Sequence, residues 1–240
     1  THYYIAPKIW AWKEYRIKSI RKYVDYMYSI LPFEVDYFAG LNYKVDYVGN
    51  PTVDELAIRP YAEESFEEFT TSNSLTNKPI IALIAGSRVG EIKSSLPRMI
   101  AAVEDMDEYQ FVVAGAPSIS PQLYNQIIGD KPIKVVYEKT YRLMQQATAA
   151  LVTSGTATLE TALMGVPQVV CYYMAGGKLT YKLFEKILKV KYVSLVNLIA
   201  GKEVVKELLV NYFTPENTRS ELEKILQPNE REKILEGYQL

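Results

Sequence analysis

Short apolar runs alternate with helical segments along almost the whole chain, and this alternation constrains the fold more than any other feature. Runs such as IIALIA (residues 80–85) and AALVT (149–153) lack the polar alternation of a strand with one face in water. Strands that are buried on both faces and connected by helices form parallel sheets. The sequence therefore predicts an α/β fold built on a Rossmann-like, doubly wound parallel sheet.

The pattern gives bounds for the individual elements. We predict strands at 2–6, 25–31, 43–48, 79–85, 110–114, 133–137, 149–153, 167–173 and 192–196. We predict helices at 13–23, 33–39, 51–59, 96–106, 120–129, 140–148, 157–164, 178–189, 203–211 and 215–227.

A change in composition at residues 60–78 divides the chain, because this stretch is acidic and then rich in Ser, Thr and Asn. We predict that residues 1–50 are the last strands and helices of a first domain whose beginning is absent. Residues 51–78 would be a linker, and 79–214 a complete second domain. Residues 215–240 would form C-terminal helices that return toward the first domain.

Composition and charge exclude several classes of protein. The net charge of −1 gives no reason to expect nucleic acid as a partner. A single cysteine (Cys171) and a single histidine (His2) exclude a disulfide framework and argue against a His/Cys metal site. Residues 1–24 and 178–206 are locally basic, either as solvated helix faces or as surfaces that attract an anionic partner.

A proline sets the predicted length of the loop after the run 80–85. Pro97 fits only the first turn of a helix, and Ser95 is a suitable N-cap. We therefore expect Gly86–Ser94 to be a loop at the carboxyl end of a parallel strand, where open α/β sheets bind ligands.

Gly86, Ser87 and Arg88 begin that loop. Exposed backbone N–H groups, a hydroxyl and a guanidinium suit the binding of a phosphate. The alternative is that Arg88 only pairs with Glu91. The spacing matches neither a P-loop nor the GxGxxG fingerprint.

A second candidate anion site follows the run 149–153. Ser154, Gly155 and Thr156 precede a predicted helix, whose free N–H groups and positive dipole end favour an anion. Glu160 lies four residues after Thr156, whereas a capping box needs three. A carboxylate on that flank suits a ribose diol, as in dinucleotide folds. The alternative is a solvated helix glutamate.

Two weaker candidates are Tyr137 and Asn197. Tyr137 ends a predicted strand, where a flat base could lie against its ring, but packing is the more common role of a tyrosine in a chain with 20 of them. Asn197 follows a predicted strand, where a turn role is usual.

Six segments, in order from residue 3 to 209, resemble the lipid-A-disaccharide synthase family, in a Bacteroidetes-like form. They are YYIAPKIWAWKEYRIKSI, SILPFEVDYF, YVGNPTVDE, IALIAGSRVGEIKSSLPRM, ALVTSGTATLETALMGVPQVVCYY and YVSLVNLIAGKEVVKELL. The segment SGTATLE alone would indicate only a nucleotide-sugar domain of the GT-B type, whereas PKIWAW, LPFE and NLIAGKEVVKELL together indicate this family.

The resemblance implies an inverting GT-B glycosyltransferase without a metal or other cofactor. It would transfer 2,3-diacylglucosamine from its UDP donor to 2,3-diacylglucosamine 1-phosphate (lipid X), giving the β-1′,6 lipid A disaccharide and UDP. The family also implies a cytoplasmic protein, peripheral to the inner membrane and its anionic surface, and is compatible with a homodimer. The alternatives are another GT-B protein, such as a MurG-like transferase or a UDP-GlcNAc epimerase, and a nucleotide-binding module without turnover.

The motifs and the resemblance together predict a donor site. It comprises Gly86, Ser87, Arg88, Tyr137, Ser154, Gly155, Thr156, Glu160 and Asn197. The diphosphate or sugar would be faced by Gly86, Ser87 and Arg88 and by the pair Gly155 and Thr156. Glu160 would bind the ribose hydroxyls. Asn197 would lie near the donor. No catalytic base is identified, since the family's base is expected in the absent part of the first domain. We therefore expect the chain alone to be inactive.

Overall fold

The computed structural model describes residues 1–153, 155–173 and 191–239, which form two parallel sheets. The first sheet has the order β1 (His2–Tyr4), β2 (Tyr26–Ser29), β3 (Asp46–Tyr47). The second sheet contains β4 (Ile80–Ile84), β5 (Gln110–Gly115), β6 (Lys134–Tyr137), β7 (Ala147–Thr153), β8 (Gln168–Tyr172) and β9 (Glu207–Leu209). Every described strand pair is parallel, which confirms the predicted α/β class.

Twelve described α-helices connect and cover these strands. They are α1 (Ile9–Trp12), α2 (Ile17–Tyr23), α3 (Phe33–Gly40), α4 (Pro51–Ala57), α5 (Phe66–Ser72), α6 (Val89–Val103), α7 (Pro121–Ile128), α8 (Thr140–Gln146), α9 (Thr156–Leu163), α10 (Leu195–Ala200), α11 (Pro215–Ile225) and α12 (Pro228–Gly237). A 3₁₀ turn at Glu14–Arg16 leads into α2. The predicted helix 178–189 lies outside the described residues.

The second sheet has the order β6-β5-β4-β7-β8-β9, which is the strand order of dinucleotide-binding folds. The chain reverses its direction of travel across the sheet between β4 and β7, and we call this place the switch point. Successive residues of β4 face opposite sides, and both sides are buried. Ile81 and Leu83 pack with α6 and α11, whereas Ile80 and Ala82 pack with α5 and α8.

Helix α6 begins at Val89, so the predicted loop Gly86–Ser94 is wrong. Its buried stripe reaches back to Ile92 and continues through Leu96 and Met99, all of them fully buried. Pro97 lies in the helix interior on the solvent-exposed side. A proline there costs about 3 kcal/mol, and we infer that burial of the stripe outweighs this cost.

Two further element predictions are wrong. The predicted strand 192–196 overlaps helix α10, whose first turn is capped by the Ser194 hydroxyl, and the predicted helix 203–211 contains strand β9. A short apolar run with no clear period fits either structure, and here tertiary contacts decided the outcome. The Ser194 hydroxyl and the carboxylate of Glu207 in β9 hold the two elements together at 2.7 Å.

Residues 51–78 form more than a connecting segment. They contain α4 and α5, and α5 begins with a capping box between Ser65 and Glu68. Phe69 of α5 is fully buried in the core on one face of the second sheet. Likewise, α11 and α12 contribute Leu222 and Ile234 to the core on the other face, so the apolar contacts of the described C-terminal helices are made with the second sheet.

A small apolar cluster joins the two sheets' units. Trp10 and Leu31 from the first unit pack with Leu195, and Leu159 of α9 borders the same cluster. The indole Nε1 of Trp10 donates a 2.8 Å hydrogen bond to the buried carboxyl group of Glu34. Burial raises the pKa of Glu34.

Phe69→Ala should lower the free energy of unfolding by about 3–5 kcal/mol, because it leaves a cavity in the core of the second sheet. Ile58→Ala is the control, since Ile58 is 84% exposed and such a change costs within about 0.5 kcal/mol. Urea unfolding measures both. A loss below about 1 kcal/mol for Phe69→Ala would show that α5 is only loosely attached.

Candidate functional site

The turn after β4 lies at the switch point and leads directly into α6. Gly86 has φ +100°, and a Cβ added there would lie 2.5 Å from Oε2 of Glu91, so no other residue fits without rearrangement. The backbone N–H of Ser87 donates to the same oxygen at 3.2 Å. The N-terminus of a 15-residue helix therefore opens at this edge, with its positive dipole end toward the turn.

Arg88 pairs with Glu91 in this structure, as the alternative interpretation of the sequence proposed. Its Nη1 lies 2.7 Å from Oε1 of Glu91, yet its side chain is 82% exposed. An exposed ion pair of this kind contributes only about 0–1 kcal/mol. Exchange of Glu91 for a bound anion would consequently cost little.

The second turn lies beside the first, because β4 and β7 are paired as far as Ile84 and Val152. It leads into α9, where Gly155 occupies the N-cap position and, like Thr156, is exposed. The Thr158 hydroxyl donates to the carbonyl of Gly155 at 2.8 Å. Ser154 lies outside the described residues. Two helix N-termini thus open next to each other, a suitable place for a diphosphate.

Glu160 lies one turn into α9 and is half-buried. Burial raises the pKa of its carboxyl group and Glu55 raises it further, while a hydrogen bond with the Thr156 side chain lowers it. This contact confirms that Glu160 and Thr156 share one flank of the helix. Burial, Glu160 and Glu55 together raise the pKa of Tyr141 to about 12, and Tyr141 is hydrogen-bonded to Glu55.

A cavity of about 550 Å³ opens beside Glu160. Its walls come from the carboxyl end of β6, the start of α8 and the segment between α4 and α5. The lining residues are Glu55, Arg59, Pro60, Tyr61, Tyr137, Glu138, Lys139, Thr140, Tyr141, Arg142 and Glu160. The volume falls within the ~300–1,000 Å³ range of small-molecule sites.

The three cations of this cavity are all engaged with other protein groups. Arg59 binds the side chain of Gln145, Lys139 binds Asn73 at 2.6 Å, and Arg142 forms an ion pair with Glu64. Three carboxylates also line the cavity, so cations and anions are equal in number. A polar but uncharged group therefore suits the cavity, whereas an anion suits the helix N-termini at the switch point.

Tyr137 is held by packing, which was the favoured interpretation of the sequence. Its ring lies edge-on to Tyr124, with the centroids 5.9 Å apart. On Gly115, an added Cβ would lie 2.5 Å from the ring carbons of Tyr137. The residue lines the cavity, but its ring is occupied by these two contacts.

Asn197 lies in a buried network. Its amide oxygen accepts from the N–H groups of Val204 and Val205 at 2.8 and 3.0 Å. Its amide nitrogen donates to the carbonyl of Val205 and to the carboxylate of Glu207 at 2.8 and 2.9 Å. The side chain is fully buried and its four hydrogen bonds are made, so in this structure Asn197 connects α10 to β9.

Of the eleven residues that line the cavity, only Tyr137 and Glu160 were predicted as site residues, and Arg59, Tyr61 and Arg142 are among those that were missed. Arg59 and Tyr61 come from the segment predicted as a linker, and Arg142 comes from α8. A usable signal did exist, because the Ser65–Glu68 capping box is visible in the sequence and indicates ordered structure within 60–78.

Asn197→Ala should lower the free energy of unfolding by about 3 kcal/mol, since each buried donor left unpaired costs about 1–3 kcal/mol. The affinity of the folded protein for UDP should remain unchanged. Denaturant unfolding and calorimetric titration measure the two effects, with the exposed Asn125→Ala as the control. A large loss of UDP affinity without a loss of stability would contradict this expectation and support the predicted place of Asn197 near the donor.

Solved structures with a similar fold include proteins that bind UDP-sugars. The chain superposes on the UDP-GlcNAc 2-epimerase from Neisseria meningitidis bound to UDP-GlcNAc with a TM-score of 0.63 and 12% identity, covering 88% of this chain and 56% of that one. It superposes on Anabaena HepE in complex with UDP and glucose with a TM-score of 0.56 and 12% identity, covering 99% and 65%. These similarities show the Rossmann-like fold of GT-B proteins.

Comparison of sequences gives the family. A relative named lipid-A-disaccharide synthase from Myxococcus xanthus is 36% identical over 242 residues, covering 98% of this chain and 62% of that protein. The protein of the same name from Syntrophus aciditrophicus is 35% identical, with the same two coverages. This chain thus spans about three fifths of the length of these relatives. Since the family model for lipid-A-disaccharide synthetase matches residues 1–239, the chain belongs to that family.

Proposed function

We propose that this chain carries the UDP-sugar donor site of a lipid-A-disaccharide synthase. The observation that carries the proposal is the position of Glu160, which is half-buried, one helical turn from the exposed N-terminus of α9, and on the wall of a nucleoside-sized cavity. One helical turn is about 5.4 Å, which is comparable to the distance from a ribose diol to its 5′-phosphate. The ribose would bind Glu160, and the diphosphate would bind the two helix N-termini.

The reaction would be a single displacement at the anomeric carbon of the donor. The 6-hydroxyl oxygen of lipid X forms the new bond, the bond from the anomeric carbon to the diphosphate oxygen breaks, and UDP leaves. The hydroxyl proton passes to a base, which we do not assign to any described residue. The N–H groups at the starts of α6 and α9, together with Arg88, would stabilise the charge that develops on the departing diphosphate.

The described residues contain no group of three or more His, Cys, Asp or Glu side chains that could hold a metal ion. We propose that the helix dipoles of α6 and α9, together with Arg88, hold the diphosphate of the donor.

Another GT-B activity is the second candidate. The UDP-GlcNAc 2-epimerase from Neisseria meningitidis shares the fold, but an identity of 12% does not carry its activity over to this chain. The family match over residues 1–239 favours the transferase.

Glu160→Gln should lower the affinity for UDP roughly 10- to 100-fold, since a hydrogen bond to a charged acceptor contributes about 1.5–3 kcal/mol. Calorimetry in EDTA would compare UDP with 2′,3′-dideoxy-UDP, which lacks the diol and should bind both proteins alike. The exposed Glu108→Gln is the matched control. An equal loss of affinity for both ligands would show that Glu160 has a structural role and does not bind the ribose.

The same titration against pH adds a test of charge. The ribose hydroxyls donate to the ionised carboxylate, so affinity should fall as pH falls through the pKa of Glu160. Because burial raises that pKa, the fall should begin at a higher pH than for an ordinary glutamate. Glu160→Gln should lack this component, and identical pH profiles for the two proteins would contradict the proposal.

We also propose peripheral association with an anionic membrane surface through α2. None of the described helices is long and apolar enough to cross a bilayer. Ile17 and Ile20 face the core, whereas Arg16, Lys18 and Lys22 are exposed on the outer side. Tyr15 and Tyr23 flank them and are 68% and 62% exposed. Much of the second basic segment, 178–206, lies outside the described residues.

Replacing Arg16, Lys18 and Lys22 with Gln should weaken binding to anionic vesicles roughly a hundredfold, since each cation near such a surface contributes about 1 kcal/mol. The control replaces Lys131, Lys206 and Lys233 with Gln, which changes the net charge equally at other sites. Vesicle sedimentation at low and high salt measures both. Equal effects of the two triple variants would leave α2 as an ordinary solvated face.

A further inference from the structure

The segment Glu55–Tyr61, predicted as part of a linker, forms one wall of the cavity beside Glu160. We propose that Tyr61 is the aromatic platform on which the nucleobase of the donor stacks, and that Arg142 is the residue that positions it. This inference rests on the proposed function and deepens it, because it assigns the base-binding part of the same site to the segment that connects the two sheets.

Three tyrosines line the cavity, and Tyr61 is the most exposed of the three. The ring of Tyr137 is occupied by Tyr124 and by its close approach to Gly115. Tyr141 is half-buried and hydrogen-bonded to Glu55. Tyr61, in contrast, is 59% exposed. An exposed aromatic ring in a polar cavity of balanced charge is what a flat, uncharged base needs for stacking.

Arg142 fixes the position of the Tyr61 ring. Its guanidinium carbon lies 4.2 Å from the ring centroid of Tyr61 and 5.8 Å from that of Phe69. The other side of the guanidinium is held by Glu64, with Nε 2.8 Å from one carboxylate oxygen and Nη2 bonded to the other. The side chains of Arg142 and Glu64 are only 16% and 7% exposed, so the planar fork has one well-defined orientation.

Helix α8 also anchors the backbone of the segment. Nε2 of Gln145 donates to the carbonyl of Ala62 at 2.9 Å, and Nε2 of Gln146 donates to that of Glu64 at 2.7 Å. Arg59 of the same segment donates two hydrogen bonds to Oε1 of Gln145, from Nε at 3.2 Å and from Nη2 at 3.1 Å. The wall is therefore built in place before any ligand binds.

Two residues that line this cavity have a strained backbone conformation. Tyr61 has φ +64° and Glu138 has φ +56°, a left-handed conformation that L-residues rarely adopt. Six non-glycine residues of the described part have positive φ, and these two line one cavity. Such conformations persist where the surroundings hold them, and they are concentrated at ligand sites. Tyr61 thus lines the same cavity as Tyr137 and Glu138, at the carboxyl end of β6.

The test compares UDP with inorganic pyrophosphate, which lacks a base, by calorimetric titration of the full chain. Tyr61→Ala should weaken UDP binding roughly tenfold or more and leave pyrophosphate binding unchanged. Tyr61→Phe keeps the ring and should bind UDP like the parent protein. Tyr212→Ala is the matched control, since Tyr212 is 63% exposed and does not line this cavity.

Two further readouts separate positioning from a structural role. Stacking should reduce the uracil absorbance near 260 nm in the complex, and this hypochromism should be lost in Tyr61→Ala. Arg142→Lys keeps the charge but loses the fork, so it should weaken UDP binding without affecting pyrophosphate. If Arg142→Lys does not fold, the two Tyr61 variants still decide the question.

Three results would overturn the inference. In the first, the parent protein binds UDP and Tyr61→Ala binds it equally well, in which case the proposed function stands and only the platform is wrong. In the second, Tyr61→Ala weakens UDP and pyrophosphate equally, which would make Tyr61 structural. In the third, the parent protein binds pyrophosphate but not UDP, which would overturn the proposed function as well.

Discussion

The pairing of β4 with β7 is the constraint on which the rest of the molecule depends. The two strands are parallel neighbours in the middle of the second sheet, and both are buried on both faces. Their carboxyl ends lie side by side, so the chain leaves the sheet there twice and enters a helix each time. Neighbouring strands are about 4.8 Å apart, which brings two positive helix ends within reach of one diphosphate.

The charged side chains at the carboxyl ends of the strands form two groups, one at the switch point and one in the neighbouring cavity. At the switch point, Arg88 is exposed and its pairing with Glu91 is weak enough to be replaced. In the neighbouring cavity, Arg59 and Arg142 are instead used to hold the segment between α4 and α5 against α8. This division supports a ligand whose charge lies at the helix ends and whose uncharged part lies in the cavity. A nucleoside diphosphate has that distribution.

The sequence predicted the fold class and the two turns because both depend on local patterns. Apolar runs gave the buried strands, Gly86 and Gly155 followed from their places after strand ends, and Glu160 followed from its place on the flank of a predicted helix. The start of α6 was wrong because the rule for proline was weighed without the burial of Ile92, which lies before Pro97. The cavity wall was missed because it depends on Arg142 meeting Tyr61 across 81 positions of sequence, and no local pattern encodes such a contact.

The central claim is that UDP binds across the switch point, with its diphosphate at the starts of α6 and α9. Amide hydrogen exchange with and without UDP tests it most directly, because a phosphate that accepts backbone N–H bonds must slow their exchange. The account predicts protection in the two turns that begin at Gly86 and Gly155, and no change at Ile133, which precedes the amino end of β6. Binding of UDP without protection of either turn would contradict it.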